Sequence, residues 1–592
     1  MTALPLMIGA LCVTALGYRF YSAFIAAKVL ALGDTPTPAH RLQDDHNYVP
    51  TNRWVVFGHH FAAISGAGPL VGPVLAAQFG YLPGYLWILI GVVLGGAVHD
   101  FVVLTASIRH DGKSLVEIVR AQIGPRSATV AAIAVFFICT LAIAAMARVV
   151  VSTLAESAWG TFTIASTIPI AILMGVLMRK PSRIPLATII GVALLVAAVI
   201  FGKDISHSAI AGWFVLSEKQ LTVAIVGYGF LASVLPVWLL LAPRDYLSAY
   251  MKIGTVAALI VGIILVNPPL KAPAISQFTG GGPIVPGSLF PFVFITIACG
   301  AISGFHGLIG SGTTPKLISR ERDARMIGYG AMLVESLVAI VALIAAACLA
   351  QGDYFAINVS DAKFKTLGLE VDQLPLLAQQ IGERLTARAG GAVSLAVGVS
   401  QIFARMPKLD TVIAYLYHFL IMFEALFILT TVDSGTRVAR FLVQESLGRI
   451  SPRFARSNWV PGTVLSTALV CLAWGYLVWT GSVQTLWPML GVSNQTLACI
   501  ALLTITVMLV NTGRARYVWV TLIPLAFVAV VTQLAAVELI RTVFIPKMIR
   551  GGDPVTGWLL TMLAVLSILS FFWMVAASVA RVRATMRKGS LS

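Results

Sequence analysis

The chain has 592 residues, of which 58% are hydrophobic and only 11% charged, with a formal net charge of +17 at pH 7. A soluble globular domain carries about 25% charged residues, so this composition excludes an ordinary water-facing surface. The positive balance reads as Lys and Arg held in loops at a cytoplasmic face, with no nucleic-acid partner implied.

Mean hydropathy is +0.90. The apolar residues fall in runs of roughly 18 to 25, the length a helix needs to cross about 30 Å of hydrocarbon. Backbone groups in lipid must be satisfied internally, so these runs are helices and the chain is an all-α polytopic membrane protein. The cysteines (Cys12, Cys139, Cys299, Cys348, Cys471 and Cys499) form no CxxC pair. They point to neither a disulfide framework nor a bound metal, and no cofactor motif stands out. The first apolar run follows no basic region and precedes no small-residue cleavage site, so it reads as a retained span.

In chain order, spans are expected near Leu4–Val29, Val55–Ala77, Gly84–Ile108, Ala128–Val151, Gly160–Met178, Pro185–Phe201, Leu221–Pro243, Leu247–Asn267, Ser288–Gly310 and Ile327–Ala350. After a polar stretch come Val412–Val432, Pro461–Gly481, Ser493–Asn511, Tyr517–Leu539 and Thr556–Ala580. Alternate loops carry Arg41 and Arg53, then Arg109, Lys113, Arg120 and Arg126, then Arg179, Lys180 and Arg183, then Arg244, then Lys316, Arg320, Arg322 and Arg325. The intervening loops offer only Lys203, Lys219 and Lys271. By the positive-inside rule the basic set is cytoplasmic and the N-terminus lies outside.

The segment Ala389–Phe403 is short and rich in small residues, and as a span it would turn the basic loop from Arg437 to Arg456 outward. It is therefore expected to be an external or re-entrant helix. That leaves about 15 transmembrane helices and a cytoplasmic C-terminus bearing Arg581, Arg583, Arg587 and Lys588. The stretch from Gln351 to Asp410 is the sizeable external insertion.

The second span carries Phe57-Gly-His-His-Phe-Ala-Ala-Ile-Ser-Gly-Ala-Gly-Pro-Leu-Val-Gly-Pro73. Pro removes a backbone donor and Gly weakens a helix, so this span should break near mid-membrane. Irregular backbone at that depth is tolerated only where it lines a cavity or is buried in protein. In transporters such breaks hold substrate and coupling ion. His59, His60, Ser65, Gly66 and Gly68 are accordingly candidate substrate-binding residues. Ala63-Ile-Ser-Gly66 recurs in the ninth span as Ala301-Ile-Ser-Gly304, followed by Gly310-Ser-Gly-Thr-Thr-Pro315. The seventh span, with Pro236 as a further substrate-site candidate, lies five spans after the second. Either pairing gives an inverted repeat, and the five-span offset is preferred because it yields two complete five-helix units.

Ionisable residues at membrane depth are costly and are functional candidates by default. Asp100, Glu335 and Glu424, with His306, Ser311, Thr313 and Thr314 around the second break, are expected to serve ion coupling. His99 and Asp100 are adjacent. Arg148, near the outer end of its span, offers a guanidinium for a substrate carboxylate. Arg244 and Asp245, adjacent at the cytoplasmic edge, read as forming gating or structural pairs and not a substrate site.

Several stretches resemble the carbon starvation protein A family: Tyr18-Arg-Phe-Tyr21, Asn47-Tyr-Val-Pro-Thr51, Phe57 to Pro73, Gly80-Tyr-Leu-Pro-Gly84, Gly96-Ala-Val-His-Asp-Phe101 and Val234 to Leu247. His99 departs from the Gln expected in many relatives. The resemblance implies a secondary active importer related to the amino acid–polyamine–organocation superfamily, associated with uptake of pyruvate and short peptides when carbon is scarce. It also implies a LeuT-like five-plus-five inverted-repeat core over 55–432, including the external insertion 351–411. Residues 1–54 then supply an extra N-terminal span and loop, and 433–592 four additional spans.

The expected function is import of pyruvate or short peptides across the inner membrane, coupled to H⁺, with Na⁺ as the alternative ion. An intramembrane metal-dependent hydrolase using His59, His60 and Asp100 is the enzymatic alternative. Adjacent histidines point about 100° apart on a helix, and no HExxH is present. A non-transporting nutrient sensor would need an output domain that these short loops do not provide.

Overall fold

Among the described residues, twelve of the expected spans are single helices long and apolar enough to cross a membrane, and a pair bent by 46° makes a thirteenth. The computed structural model describes residues 1–44, 48–236, 239–406, 412–448, 451–454, 459–550 and 554–589. Asn47, Asp410 and Arg456, together with 237–238, lie outside them. Among the described residues there are helices and three isolated β-bridges but no strand.

The helices run as follows. α1 is Leu4–Val29; α2 Arg53–Ile64 and α3 Gly68–Phe79 form the bent second span; α4 is Tyr81–Arg109. α5 (Leu115–Gln122) is a short connector. α6 Pro125–Leu154, α7 Ala158–Met178 and α8 Ile184–Ser206 follow. α9 Glu218–Val234 is a helix of 17 residues that stops before Pro236, and α10 is Pro243–Val266. The ninth span is three pieces: α11 Leu289–Thr296, α12 Ala298–Ala301 and α13 Gly304–Gly310. Then come α14 Glu321–Ala347, α15 Ala392–Phe403, α16 Ile413–Gln444, α17 Val460–Thr480, α18 Val483–Asn511, α19 Trp519–Ile549 and α20 Pro554–Arg587. The seventh expected span is thus one shorter helix, and the ninth is helical but interrupted.

Burial sorts the helices into layers. The apolar windows of α18, α14 and α4 are 94%, 89% and 83% buried, whereas those of α1, α8 and α10 are 28% buried. The first three form the centre and the others face lipid, where apolar side chains cost nothing to expose and helices associate through close packing and polar contacts. α18 packs on α6, α13, α19 and α20, so the C-terminal spans are built into the centre. α15 is 12 residues long, too short to cross, and is buried against α14, α16 and α3.

Two arginines bind the carbonyls at the end of α1: Arg109 donates to the Leu30 carbonyl at 2.9 Å and Arg514 to the Val29 carbonyl at 3.0 Å. A helix C-terminus carries partial negative charge, so cations settle there. The loops after α4 and α18 therefore share one end of the molecule with the end of α1. The opposite end, here the insertion end, is organised by Asp353, which accepts from the amides of Asp372 and Gln373 at 2.8 and 3.0 Å. Tyr354 anchors it by donating to the Val74 carbonyl at 2.7 Å.

Candidate functional site

α2 begins behind Asn52, whose side chain accepts from the Trp54 amide at 2.9 Å, the usual way an N-cap satisfies a free donor. It ends at Ser65, where ψ of 83° leaves the helix. α3 restarts at Gly68 with Pro69 in its first turn, where a missing N–H costs nothing. The second break is made by Ile302 and Ser303, both extended. The two breaks face each other: a Cβ on Gly68 would lie 2.2 Å from Cys299 Cβ, and one on Gly72 would lie 2.4 Å from the Thr296 carbonyl oxygen. Asn494 of α18 closes the second break. Its Oδ1 accepts from the Phe305 amide at 2.8 Å, and its Nδ2 donates to Ser303 Oγ at 3.1 Å.

Beside the facing breaks runs a line of buried titratable groups. Asp100 Oδ1 meets His99 Nδ1 at 2.8 Å, and its Oδ2 meets His306 Nδ1 at 2.8 Å. His306 Nε2 lies 3.2 Å from Glu335 Oε2, an ion-pair approach that falls outside hydrogen-bond alignment. An imidazole donates from both nitrogens only when protonated. The ring thus bonds Asp100 through Nδ1 and stands within ion-pair reach of Glu335 through Nε2, where a second proton would have an acceptor. A π-helical turn at Val92–Gly96, just before His99, offsets α4 so that both side chains face the breaks, and such turns recur at functional sites. Among the described residues no three or more His, Cys, Asp or Glu side chains are grouped to hold a metal ion; the network is a line.

The other sequence candidates divide. His60 joins the site through Thr314, with Nδ1 and Oγ1 2.9 Å apart. His59 is half-buried, and its Nε2 has no hydrogen-bond partner among the described residues. Gly66 backs onto Thr431. Ser311 is engaged in holding α5, accepting from the Leu115 amide at 2.9 Å and donating to the Gly307 carbonyl at 2.5 Å. Thr313 and Pro236 are exposed, outside this network. Glu424 is buried on α16, and neither oxygen has a hydrogen-bond partner among the described residues. Arg148 pairs with Glu218 at 2.7 Å and lines a cavity of about 430 Å³ at the insertion end, with Glu383, Arg384 and Arg388.

The sequence reading missed Lys252. It is fully buried on α10 and donates to the Ala62 and Ser65 carbonyls at 2.8 and 2.7 Å. The rule that singled out the buried acids applies equally to this lone cation in an apolar run. Asn494 carried no such signal, because one Asn in a span also serves as ordinary interhelical glue. Arg244 pairs with Asp433 at 3.2 Å, to which Tyr228 also donates at 2.5 Å. Arg437 and Arg440 cap the carbonyls at the end of α9, Arg437 reaching Ala232 at 2.8 Å and Arg440 reaching Ser233 at 2.6 Å.

At the insertion end, burial raises the Glu383 carboxyl above its ordinary 4.5, while the Ser157 hydroxyl and Arg388 guanidinium pull it down. A raised folded-state pKa means the folded protein holds the proton more tightly than the unfolded chain. The resulting stability is complete below the unfolded value and is lost as pH rises through the folded one. Thermal stability is expected to fall on raising the pH above about 4.5, more steeply in the wild type than in Glu383→Gln. Melting curves across pH in both proteins check this, and equal slopes refute it.

Residues 2–535 match the family model described as "Carbon starvation protein CstA". The chain belongs to the carbon starvation protein CstA family. The CstA-family protein named "Peptide transporter CstA" from Bacillus subtilis (strain 168) is 47% identical over 580 residues, covering 98% of this chain and 96% of the relative. The "Pyruvate/proton symporter BtsT" of Escherichia coli (strain K12) is 46% identical over 582 residues, covering 90% of this chain and 81% of the relative. Both names are those of transport proteins, in line with a multi-pass membrane CstA protein that is not an enzyme. Among solved structures, a manganese transporter mutant from Eremococcus coleocola is 14% identical, covers 92% of this chain and 99% of its own, and has a TM-score of 0.42.

Proposed function

We propose that this chain is a proton-coupled secondary transporter that imports pyruvate, short peptides or both across the inner membrane during carbon starvation. The observation that carries the proposal is the buried line Asp100–His306–Glu335 set against two facing helix breaks. Breaks free backbone groups for a passing solute, and a shared proton between two carboxylates gives the driving ion a place to sit. The names of the two relatives support the substrate classes.

In this reading the N-terminus is outside, the C-terminus cytoplasmic, and all 15 expected spans, about the number the apolar runs allow, traverse the bilayer. The insertion end then faces outward. Substrate enters past the Arg148–Glu218 and Arg388–Glu383 pairs, where guanidinium groups meet its carboxylate, and reaches the breaks at Ser65–Gly68. Proton arrival at the His306 line and substrate arrival together release the outer pairs, and the Arg244–Asp433 pair opens at the cytoplasmic end.

The LeuT-like repeat is drawn by pairing α2 and α3 with α11 to α13, α4 with α14, and α6 with α16. Both members of the first pair are broken, and both of the second carry a π-helical turn, at Val92–Gly96 and Arg325–Gly330. This pairing follows the Ala-Ile-Ser-Gly echo, because α2 and α3 pack on the ninth span while α9 packs on α6, α16 and α17. The core accordingly extends past Val432 to include α18.

Proteoliposomes loaded at neutral pH and placed in acidic medium test the proposal with labelled pyruvate and labelled dipeptides. Uptake should be concentrative and should collapse with a protonophore. Uptake that is indifferent to the pH gradient rejects proton coupling.

A further inference from the structure

We infer that the Lys252 ammonium is a tethered cation filling a monovalent-cation site at the broken helix, so that this protein operates without bound Na⁺. The inference rests on the transporter reading and specifies its ion requirement.

Lys252 Nζ has three N–H donors and three oxygens around it: the Ala62 carbonyl at 2.8 Å, the Ser65 carbonyl at 2.7 Å and Thr430 Oγ1 at 3.4 Å. Both carbonyls belong to the C-terminal end of α2, where the helix concentrates negative partial charge. Thr430 gives its own hydroxyl proton to the Phe427 carbonyl at 2.9 Å, which leaves a lone pair toward the ammonium. The Phe427 ring lies 4.1 Å from Nζ and completes the cage with its electron-rich face.

Carbonyls of an unwound helix with a hydroxyl from a neighbouring span are the donor set by which a broken transporter helix coordinates Na⁺. Here a side chain supplies the positive charge from inside the protein. A diffusible cation at the same oxygens would stand in contact with a second unit charge. The acidic groups whose charge reaches Lys252 are Glu335 on α14 and Asp245 about two turns earlier on α10. α2 and α16 present it with carbonyls, a hydroxyl and a ring. The ammonium also ties α10 to the end of α2, so any rearrangement of the break must carry Lys252 with it or release it.

Two measurements test this. Purified wild type should show no saturable binding of radiolabelled Na⁺. Its uptake of labelled pyruvate or dipeptide should differ by less than about twofold between Na⁺ and choline media. Lys252→Ala in choline medium should lose at least about tenfold in uptake and recover part of it when Na⁺ or methylammonium is added to fill the vacated space. Stoichiometric Na⁺ binding by the wild type overturns the inference. So does a Lys252→Ala protein with wild-type uptake in choline, or a folded, inactive one that neither cation revives. If the variant does not fold, the wild-type binding measurement decides. That measurement needs no transported substrate, so it stands even if the wild type takes up nothing and the transporter reading falls.

Discussion

Asp100→Asn is expected to abolish proton-driven accumulation of substrate, lowering it by about a hundredfold or more, while leaving exchange of substrate across the membrane measurable. Asp100 accepts at both oxygens, from His99 and His306, each at 2.8 Å. Asparagine keeps the shape but is neutral, and it must turn an NH₂ toward one of two rings that had been facing an acceptor. Removing one partner from a buried charged pair costs about 3–5 kcal/mol because the other is left uncompensated, and 1.4 kcal/mol is about a factor of ten. The loss therefore corresponds to about two to four decades. Uptake driven by a pH gradient, compared with counterflow at equal pH in the same vesicles, separates coupling from simple misfolding. Accumulation at the wild-type level by this variant would remove the His306 line from the mechanism.

Gly68→Ala should impair both stability and uptake, and Cys299→Gly in the same chain should restore part of each. A Cβ at position 68 would sit 2.2 Å from Cys299 Cβ and 2.3 Å from its Sγ, closer than real atoms pack. Overpacking a tight contact costs about 1–3 kcal/mol and occasionally more. Deleting the Cys299 side chain opens the needed space. Gly72→Ala is expected to be as damaging and to resist such rescue, because its Cβ would meet the Thr296 carbonyl oxygen at 2.4 Å, and backbone cannot be trimmed. Thermal unfolding of the three single variants and the double variant, with uptake measured in parallel, checks the pattern. Equal behaviour of Gly68→Ala with and without Cys299→Gly would show that the two breaks do not press together as described.

Composition and the length of the apolar runs by themselves determined that this is a helical membrane protein, because lipid admits no other open backbone arrangement. The sites of the two helix breaks were equally legible, since Gly and Pro act on their own few residues. The sequence also yielded most members of the central line, because a charge in an apolar run stands out wherever it is. Which of these groups meet was decided by tertiary structure. His306 and Asp100 are separated by 206 residues, and Lys252 and Ala62 by 190. Nothing local distinguishes the engaged Glu335 from the isolated Glu424, or the paired Arg148 from a guanidinium awaiting substrate. Depth and rotation of each helix set those contacts, and they follow from how helices far apart in sequence pack. Counting spans singled out the seventh beside the second, whereas packing sets the break of the ninth against it. Local chemistry decides where a helix breaks; packing decides what the break faces.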